Sequence, residues 1–412
     1  MEDPVIIIGA GIVGICTALS LRERGFAVRL LDRGAPGQET SFGNAGVISP
    51  WSIIPQAMPG IWKTLPGMLL NRDSALSVRA GFWPQMVPWG LRFLRQATEA
   101  RARAASDMME YLCGPSMDLY RRHLRGTGQD GLICDSYYIH AFRNAGKASL
   151  QSLDYRIRME KGGDLALIGA AELRAMEPAL SPAFKAAVVI KGQARARSPG
   201  EIGRVLAEKA RAMGVEVTKA EVTRLTRTGD GWQITTKGPA FQARRVILAA
   251  GVWSEALLRP LGYRLPLVAE RGYHVEFAGP GVGLTHSVMD VEAKTVASSM
   301  QDGLRLAGTA EFAAIDAPVD PRKQALLTRQ AKAMLPDLNT GQGSFWMGRR
   351  PSFPDSLPAL GAVPGQAGLF TAFGHSHYGL MMAPKTGEIL ADLLSGQAAN
   401  ADLSPLNVAR FL

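Results

Sequence analysis

The sequence predicts an α/β protein with a Rossmann-like domain and a second domain that combines an antiparallel or mixed sheet with helices. A β-branched run at residues 5–8 leads into a GxGxxG turn, and apolar residues at helical spacing follow from Ile12. A second strand ends at Asp32, as in a βαβ unit. Another apolar strand at 246–251 lies far along the chain, so the parallel sheet is expected to be discontinuous in sequence.

The glycines of the turn each have a physical role in binding a dinucleotide. Gly9 permits the tight turn, Gly11 lets the backbone approach a pyrophosphate, and Gly14 lets the helix pack closely on the strand. The first helical residues, Ile12 and Val13, would meet the anion at the positive end of the helix dipole. In this strand-to-helix context, the turn predicts a bound dinucleotide rather than a plain corner.

The acidic residue at the end of the second strand narrows the choice of dinucleotide. Asp32 lies roughly 20 residues after the turn, where a carboxylate holds the hydroxyls of a ribose. The same carboxylate would repel a 2′-phosphate, which disfavours NADP, although Arg33 beside it leaves NADP open.

A loop of small residues follows at 37–48. It contains Ser41, Asn44, Ala45, Gly46 and Val47. Few side chains would obstruct a flat ligand there, and backbone amides would face it. On the residues alone, a plain glycine-rich loop is an equal alternative.

The composition excludes several classes of protein. Of 412 residues, 47% are hydrophobic, which supports a full globular core. The net charge of +10 is dispersed along the chain, so no nucleic-acid partner is expected, although weak attraction to an acidic membrane surface stays open. With no apolar run of 18 residues and a strand beginning almost at once, neither a membrane-spanning helix nor a signal peptide is predicted, and we expect a cytoplasmic protein.

The three cysteines do not indicate a metal or disulfide framework. Cys16, Cys113 and Cys134 lack metal-type spacing, and their number is odd. We therefore expect them to be buried apolar residues and expect no metal site.

Residues 51–95 form an unusual stretch in which Trp51, Trp62, Trp83 and Trp89 alternate with prolines. Proline interrupts helices, so a set of short helices and turns is predicted. The stretch would cover an active site, rest on a membrane surface, or be an irregular packed excursion.

The rest of the chain alternates between helical and strand patterns. A capping box at Ser198 opens a helix that ends at Met213. Three short strands are predicted between 221 and 245, and an antiparallel sheet between 265 and 312. Further helices are predicted at 114–124, 150–161, 320–335 and 381–394, with a strand at 132–142.

Six ordered motifs resemble the FAD-dependent D-amino acid oxidase superfamily, and most closely its bacterial D-amino acid dehydrogenase branch. The resemblance covers nearly the whole chain. The motifs are the GAGIVG turn with Asp32, the SFGNAG loop at 41–46, the ATG-like strand at 246–254, RGYH at 271–274, the GxRPxxPD-like run at 348–355, and GHxxxG at 374–379.

The resemblance implies FAD in a glutathione-reductase-like domain. The ADP half would lie on the glycine turn with Asp32 on the ribose, and the 41–47 loop would run along the diphosphate and the ring. Three further groups of residues would contact FAD, and they are Val222; Ala250, Gly251 and Trp253; and Gly374, His375, Gly379, Leu380 and Met381. All three cysteines precede residue 135, whereas covalent members attach flavin through a cysteine in the C-terminal half. Non-covalent FAD is therefore expected.

The same resemblance suggests the substrate site. Arg350 occupies the position that clamps the substrate carboxylate, and a planar guanidinium matches a carboxylate. His375 and His377 would neighbour flavin or substrate, since a glycine-rich helix start is a poor metal cage. Tyr273 and Tyr378 are candidate lids or hydrogen-bond donors, with plain packing as an equal alternative.

The resemblance implies oxidation of an amino acid, most closely a D-amino acid, to the 2-oxo acid and ammonia by hydride transfer to flavin N5. A quinone or other acceptor, with peripheral contact to the inner face of the cell membrane, is expected. Alternatives are a secondary amine such as D-proline, hydroxyproline or sarcosine, and a non-catalytic flavin-binding subunit or sensor. The FAD-binding domain would comprise residues 1–50, 196–265 and 345–412. The substrate domain would comprise residues 51–195 and 266–344.

Overall fold

A computed structural model describes residues 3–70 and 74–412. The α-helices of the described chain, α1 to α11, are Ile12–Glu23, Ile61–Leu70, Trp83–Gln96, Glu99–Cys113, Ser116–Leu124, Leu153–Glu160, Ala170–Met176, Pro199–Ala212, Ser254–Leu258, Arg322–Met334 and Gly379–Leu394. The strands, β1 to β19, are Val5–Ile8, Val28–Asp32, Val47–Ile48, Leu76–Val78, Ile133–Phe142, Leu165–Gly169, Ala186–Ala196, Glu216–Lys219, Val222–Thr228, Gly231–Thr236, Phe241–Ala243, Val246–Leu248, Val268–Ala278, Ser287–Asp290, Thr295–Ser299, Gly303–Phe312, Gly343–Ser352, Ala359–Ala362 and Leu369–Phe373.

A six-stranded sheet in the order β18-β19-β12-β1-β2-β8 carries the glycine turn. Its strands pair in parallel except β18, which runs antiparallel to β19. The strands come from both ends and the middle of the chain, which confirms that the parallel sheet is discontinuous in sequence. Helix α11 packs so closely on α1 that a Cβ at Gly387 would lie 2.6 Å from the Cys16 carbonyl oxygen.

The second sheet has ten strands and is mixed. Its main order is β17-β13-β16-β15-β14-β5-β7-β3, with β4 paired to β16 and β6 paired to β7. The predicted antiparallel region forms β13 to β16, while β14 pairs in parallel with β5. A separate antiparallel meander, β9 to β11, matches the three short strands predicted between 221 and 245.

The stretch at 51–95 folds as two helices, α2 and α3, with the short strand β4 between them. This agrees with the predicted set of short helices and turns, although Pro66 and Pro88 lie inside α2 and α3 rather than at their ends. Residues 71–73, which belong to the stretch covered by this prediction, lie outside the described residues. No helix in the described ranges is long and apolar enough to cross a membrane.

Two predicted boundaries differ from the structure or cross its elements. The last helix begins at Gly379 rather than at 381, directly after a short 3-10 turn. Strand β17 crosses the domain boundary predicted at 345 and pairs throughout with β13 of the ten-stranded sheet. The division into two domains otherwise stays a prediction.

Candidate active site

A large cavity opens at the carboxyl ends of β1, β2 and β12 and extends to the ten-stranded sheet. Its volume is about 1220 Å³, above the roughly 300–1,000 Å³ that is usual for a small-molecule pocket. The glycine turn, the loop after Ser41, strands β13 and β17 and the turn before α11 all contribute to its lining. The space is therefore sufficient for a dinucleotide and a small substrate together.

The glycine turn needs two of its glycines for packing. Gly9 has φ +111°, and a Cβ there would lie 2.4 Å from the carbonyl oxygen of Ala249 in the neighbouring chain segment. A Cβ at Gly14 would lie 1.9 Å from the carbonyl oxygen of Gly9. The backbones of β1, α1 and the end of β12 therefore approach so closely that no side chain fits at Gly9 or Gly14.

The carboxylate of Asp32 is held at the same edge of the sheet. The Ala10 amide donates to its Oδ2 at 2.6 Å, and the Gly34 amide donates to its Oδ1 at 2.8 Å. The Ile12 amide at the start of α1 donates to Ser41 Oγ at 3.0 Å, which ties the small-residue loop to the helix. The acid and the helix start therefore face one cavity, as the sequence predicts.

The structure brings most of the predicted cofactor residues to the cavity wall. Those that line it are Gly9, Gly11, Ile12, Val13, Asp32, Arg33, Ser41, Asn44, Ala45, Val47, Val222, Ala250, Gly251, Trp253, Gly374, His375, Gly379, Leu380 and Met381. Gly14 and Gly46 are not in the lining. Gly14 serves packing within the turn, and a Cβ at Gly46 would lie 2.7 Å from the Ala196 carbonyl oxygen.

Arg350 lines the cavity from β17. Its Nη1 donates to Glu270 Oε1 at 2.8 Å and to the Thr309 carbonyl oxygen at 3.0 Å. Thr309 has φ +64°, which is strained for a β-branched residue. The guanidinium lies over Gly272, where a Cβ would be 2.2 Å from both Cζ and Nη2, so only glycine leaves it room. With its side chain 22% exposed, Arg350 keeps part of its fork toward the cavity.

Glu270 is a buried carboxylate that the sequence analysis did not select. It faces Arg350 directly in the β13–β17 register, and Ser352 Oγ and Gln56 Nε2 donate to its Oε2 at 2.9 and 3.2 Å. Burial opposes ionisation, but the Arg350 charge, His377 and these donors outweigh it and hold the pKa of Glu270 below its ordinary value. Glu270 is therefore ionised and its lone pairs are largely occupied.

The two histidines before α11 have different surroundings. His375 is 2% exposed, and its Nε2 contacts Thr386 Oγ1 at 3.0 Å. The ring of His377 lies 3.8 Å from that of Tyr378, and its Nδ1 lies 3.0 Å from Gln56 Nε2. Burial lowers the pKa of His375 to about 3 and that of His377 to about 4. Both rings are therefore neutral at neutral pH.

The two predicted tyrosines line the cavity, but their hydroxyls are engaged elsewhere. The Tyr273 hydroxyl donates to the buried Glu311, and its ring stacks on Phe345 at 5.5 Å. The Tyr378 hydroxyl donates to the Ile54 carbonyl oxygen at 2.6 Å. Both contacts fit the packing alternative better than a donor role toward a ligand.

Comparison with known protein families gives a match over residues 4–393 to the family described as DAO, FAD dependent oxidoreductase. The chain belongs to this family. Similar proteins of the DAO family support the match along the full length. A D-amino-acid oxidase of Bradyrhizobium diazoefficiens is 35% identical over 99% of both chains. A D-amino acid dehydrogenase of Paramagnetospirillum magneticum is 33% identical over 99% of this chain and 98% of the relative.

Solved structures show the same DAO fold. Glycine oxidase from Geobacillus kaustophilus superposes with a TM-score of 0.78 and 23% identity, covering 100% of this chain and 99% of that one. L-proline dehydrogenase from P. horikoshii gives a TM-score of 0.76 and 16% identity, covering 100% and 98%. The predicted Rossmann-like domain with a second domain on a mixed sheet is thereby confirmed.

FAD is the cofactor of this DAO enzyme, which oxidises an amino acid. The glycine edge of the cavity fits the group. A Cβ at Gly11 would meet only Ser41 Oγ, at 3.5 Å, so the space in front of the turn is open to a ligand. Gly11, the residue before α1, offers no side-chain cap, and since only the Ile12 amide donates to Ser41 Oγ, the next amides of the helix are left for an anion.

Three residues of the candidate active site were not among the predicted site residues: Gln56, Glu270 and Gly272. Glu270 had a recognisable signal, since it lies with Gly272, His274 and Glu276 on one face of β13, while the opposite face is apolar except for Arg271. Gln56 had none, because it comes from the irregular stretch before α2 and reaches Glu270 only through the fold.

An exposed apolar surface borders the cavity. Among the described residues, ten large apolar side chains are exposed, and six of them lie on α2 and α3. We call these six the α2–α3 surface: Trp62, Leu69, Trp83, Val87, Leu91 and Leu94. All but Trp62 also line the cavity. The exposed basic residues Lys63, Arg92 and Arg95 belong to the same two helices.

Proposed function

We propose that this enzyme oxidises the Cα–N bond of a D-amino acid, giving the 2-oxo acid and ammonia. The observation that carries the proposal is Arg350, whose partly exposed guanidinium lies in the same cavity as the glycine turn and the turn before α11. A buried, partly open guanidinium fork suits a carboxylate. The two relatives named for D-amino acids support this substrate class.

In the proposed reaction, Arg350 binds the substrate carboxylate and fixes the position of Cα. Bound FAD would supply the chemistry by accepting the hydride that leaves Cα of the neutral amine, and the amine becomes an iminium ion. Water then adds to the iminium carbon and releases the nitrogen as ammonium, which leaves the 2-oxo acid.

The surrounding protein groups favour a neutral amine. Glu270 accepts from Arg350, Ser352 and Gln56, and the lowered pKa of His377 leaves the ring a weak base. Neither group is suited to take the proton of a substrate ammonium, so the reactive substrate carries its amine deprotonated.

The proposed FAD contacts follow the cavity lining. Asp32 would hold the ribose hydroxyls, Gly11 and the amides that follow Ile12 would hold the pyrophosphate, and Trp253 would close over the nucleotide. The turn before α11 would present backbone amides and the positive end of a helix dipole to the cofactor ring. Support comes from the convergence of these segments on one cavity.

A secondary amine is the second candidate substrate. Arg350 would bind the carboxylate of D-proline, a hydroxyproline isomer or sarcosine in the same way, since none of the groups described above requires a second hydrogen on nitrogen. The solved L-proline dehydrogenase, which is named for a secondary amine, shares the fold.

Anaerobic mixing with single substrates tests the proposal. We expect a D-amino acid to bleach the flavin absorbance, and its L-enantiomer, which would point the Cα hydrogen away from the ring, to leave the spectrum unchanged. Faster bleaching by D-proline, hydroxyproline or sarcosine would select the secondary amine. Bleaching by L-amino acids alone would refute the proposed enantiomer.

We also propose that electrons pass to a membrane quinone, with the α2–α3 surface resting on the membrane. Exposed apolar side chains next to basic residues suit an anionic lipid surface. This surface borders the cavity, so a lipid-soluble acceptor would reach the cofactor site from the membrane side. Reoxidation by air as fast as by a quinone analogue, with stoichiometric peroxide, would identify an oxidase instead.

Flotation with vesicles tests the membrane contact. We expect the holoenzyme to float with vesicles containing phosphatidylglycerol, and the Trp62→Ser/Leu91→Ser variant to bind roughly tenfold more weakly because it loses apolar area. Met159→Ser/Leu167→Ser is the matched control, since these exposed apolar residues lie on α6 and β6, outside the α2–α3 surface. Equal flotation of both variants would contradict the proposed surface.

A further inference from the structure

A hydrogen-bonded chain in the cavity wall, from Glu270 through Gln56 to His377, fixes which nitrogen of His377 carries the proton. Gln56 Nε2 lies 3.2 Å from Glu270 Oε2 and 3.0 Å from His377 Nδ1. The ionised Glu270 only accepts hydrogen bonds, so the side-chain atom of Gln56 that faces it must be the NH₂ nitrogen. The second hydrogen of that NH₂ points to His377 Nδ1, which therefore accepts.

An accepting Nδ1 leaves the proton of a neutral imidazole on Nε2. The low pKa of His377 keeps the ring in this neutral form. His377 lines the cavity, and its Nε2 makes no hydrogen bond within residues 3–70 and 74–412. The ring thus offers one N–H donor to whatever occupies the cavity.

One of the three guanidinium nitrogens of Arg350 is not available to a bound carboxylate. Its Nη1 is engaged by Glu270 and by the Thr309 carbonyl oxygen, which leaves Nε and Nη2 for a ligand. Arg350 and His377 line the same cavity and are linked through Glu270 and Gln56, since Glu270 accepts from both Arg350 and Gln56, and Gln56 contacts His377. A carboxylate oxygen between them would accept from both.

We infer that Gln56 and Glu270 are positioning residues that hold the His377 proton on Nε2, from which it is donated to the substrate carboxylate beside Arg350. The inference rests on the proposed function for the identity of the acceptor. The tautomer itself follows from the contacts of Gln56 alone. In this arrangement His377 is a hydrogen-bond donor and not a general base.

The tautomer can be measured on the holoenzyme labelled with ¹⁵N-histidine, without any substrate. The chain has six histidines, and a His377→Phe variant identifies the signals of the ring in question. We expect an unprotonated Nδ1 and a protonated Nε2 at neutral pH. In Gln56→Leu the Nδ1 contact is lost, and the signals should shift toward a mixture of tautomers. A protonated Nδ1 in the wild-type enzyme would overturn the inference.

Steady-state kinetics test whether the substrate carboxylate accepts the hydrogen bond from His377. We expect Gln56→Leu and His377→Phe to raise KM on the order of tenfold with kcat changed much less, because a hydrogen bond to the bound carboxylate is lost. His377→Gln, which keeps an N–H donor near the Nε2 position, should recover part of the loss. Gln193→Leu is the matched control, since the side chain of this buried glutamine donates to the Ile190 carbonyl oxygen and makes no other hydrogen bond among the described residues.

Together, the NMR and kinetic experiments distinguish failure of this inference from failure of the proposed function. If no amino acid reduces the flavin but the tautomer is as expected, the proposed substrate is wrong and the positioning role of Gln56 stands. If amino acids do reduce the flavin and KM is unchanged in Gln56→Leu and His377→Phe, the donation to the carboxylate is refuted.

Discussion

Replacing Arg350 by methionine is expected to lower kcat/KM by on the order of a hundredfold or more, because a charge-assisted pair to the substrate carboxylate is lost. The loss should appear in KM if the guanidinium binds ground and transition states equally, and in kcat if it also orients Cα. The flavin spectrum should not change, since Arg350 is proposed to contact substrate only. Steady-state assays with a dye acceptor measure both constants.

The structure adds a necessary control to this experiment. Without Arg350, the carboxylate of Glu270 would stay buried and unpaired, which costs about 3–5 kcal/mol in such cases. The Glu270→Gln/Arg350→Met variant removes both charges and should recover thermal stability while staying slow. Arg349→Met is the neighbouring control, since Arg349 Nε donates to the Ile315 carbonyl oxygen. A stable double variant with normal kcat/KM would remove Arg350 from the substrate site.

Replacing Gly11 by valine should yield a folded protein that purifies without flavin. The Cβ of residue 11 meets only Ser41 Oγ at 3.5 Å, whereas a branched side chain would fill the space proposed for the pyrophosphate. We expect the FAD content to fall by at least tenfold. Acid precipitation measures it, and in the wild type the flavin should be released into the supernatant, as expected for a non-covalent cofactor.

A glycine in the same turn provides the comparison for Gly11→Val. In Gly14→Ala the new Cβ would lie 1.9 Å from the Gly9 carbonyl oxygen, so this variant should lose thermal stability as well as flavin. If Gly11→Val keeps its full FAD content, the glycine turn does not hold the pyrophosphate. Flavin absorbance that stays in the acid pellet of the wild type would refute non-covalent binding.

Local patterns were enough to predict the cofactor edge of the cavity. The path from Gly9 to Asp32 is a single βαβ unit, in which the spacing of residues fixes their geometry. Arg350 was predicted from its motif alone, and its partner was not, because Glu270 lies 80 residues earlier and meets it through the pairing of β13 with β17. Neither strand carries a local signal of that register.

Tyr273 and Tyr378 show a second limit of sequence reasoning. Their residue type fits a lid or a donor, but Glu311 and the Ile54 carbonyl oxygen, both distant in sequence, receive their hydroxyls. The prolines of α2 and α3 show a third, since Pro66 and Pro88 lie within helices whose continuation the residue type disfavours.

The discontinuity of the six-stranded sheet has a consequence for biosynthesis. The walls of the cofactor cavity come from the first strands, from β9 and the turn after β12, and from the turn before α11 near residue 379. A nascent chain that still lacks β19 and α11 has one wall of this cavity missing and the apolar face of α1 uncovered. The flavin pocket is therefore completed only after α11 has left the ribosome, so we expect the cofactor to be loaded after residues 1–394 have been made.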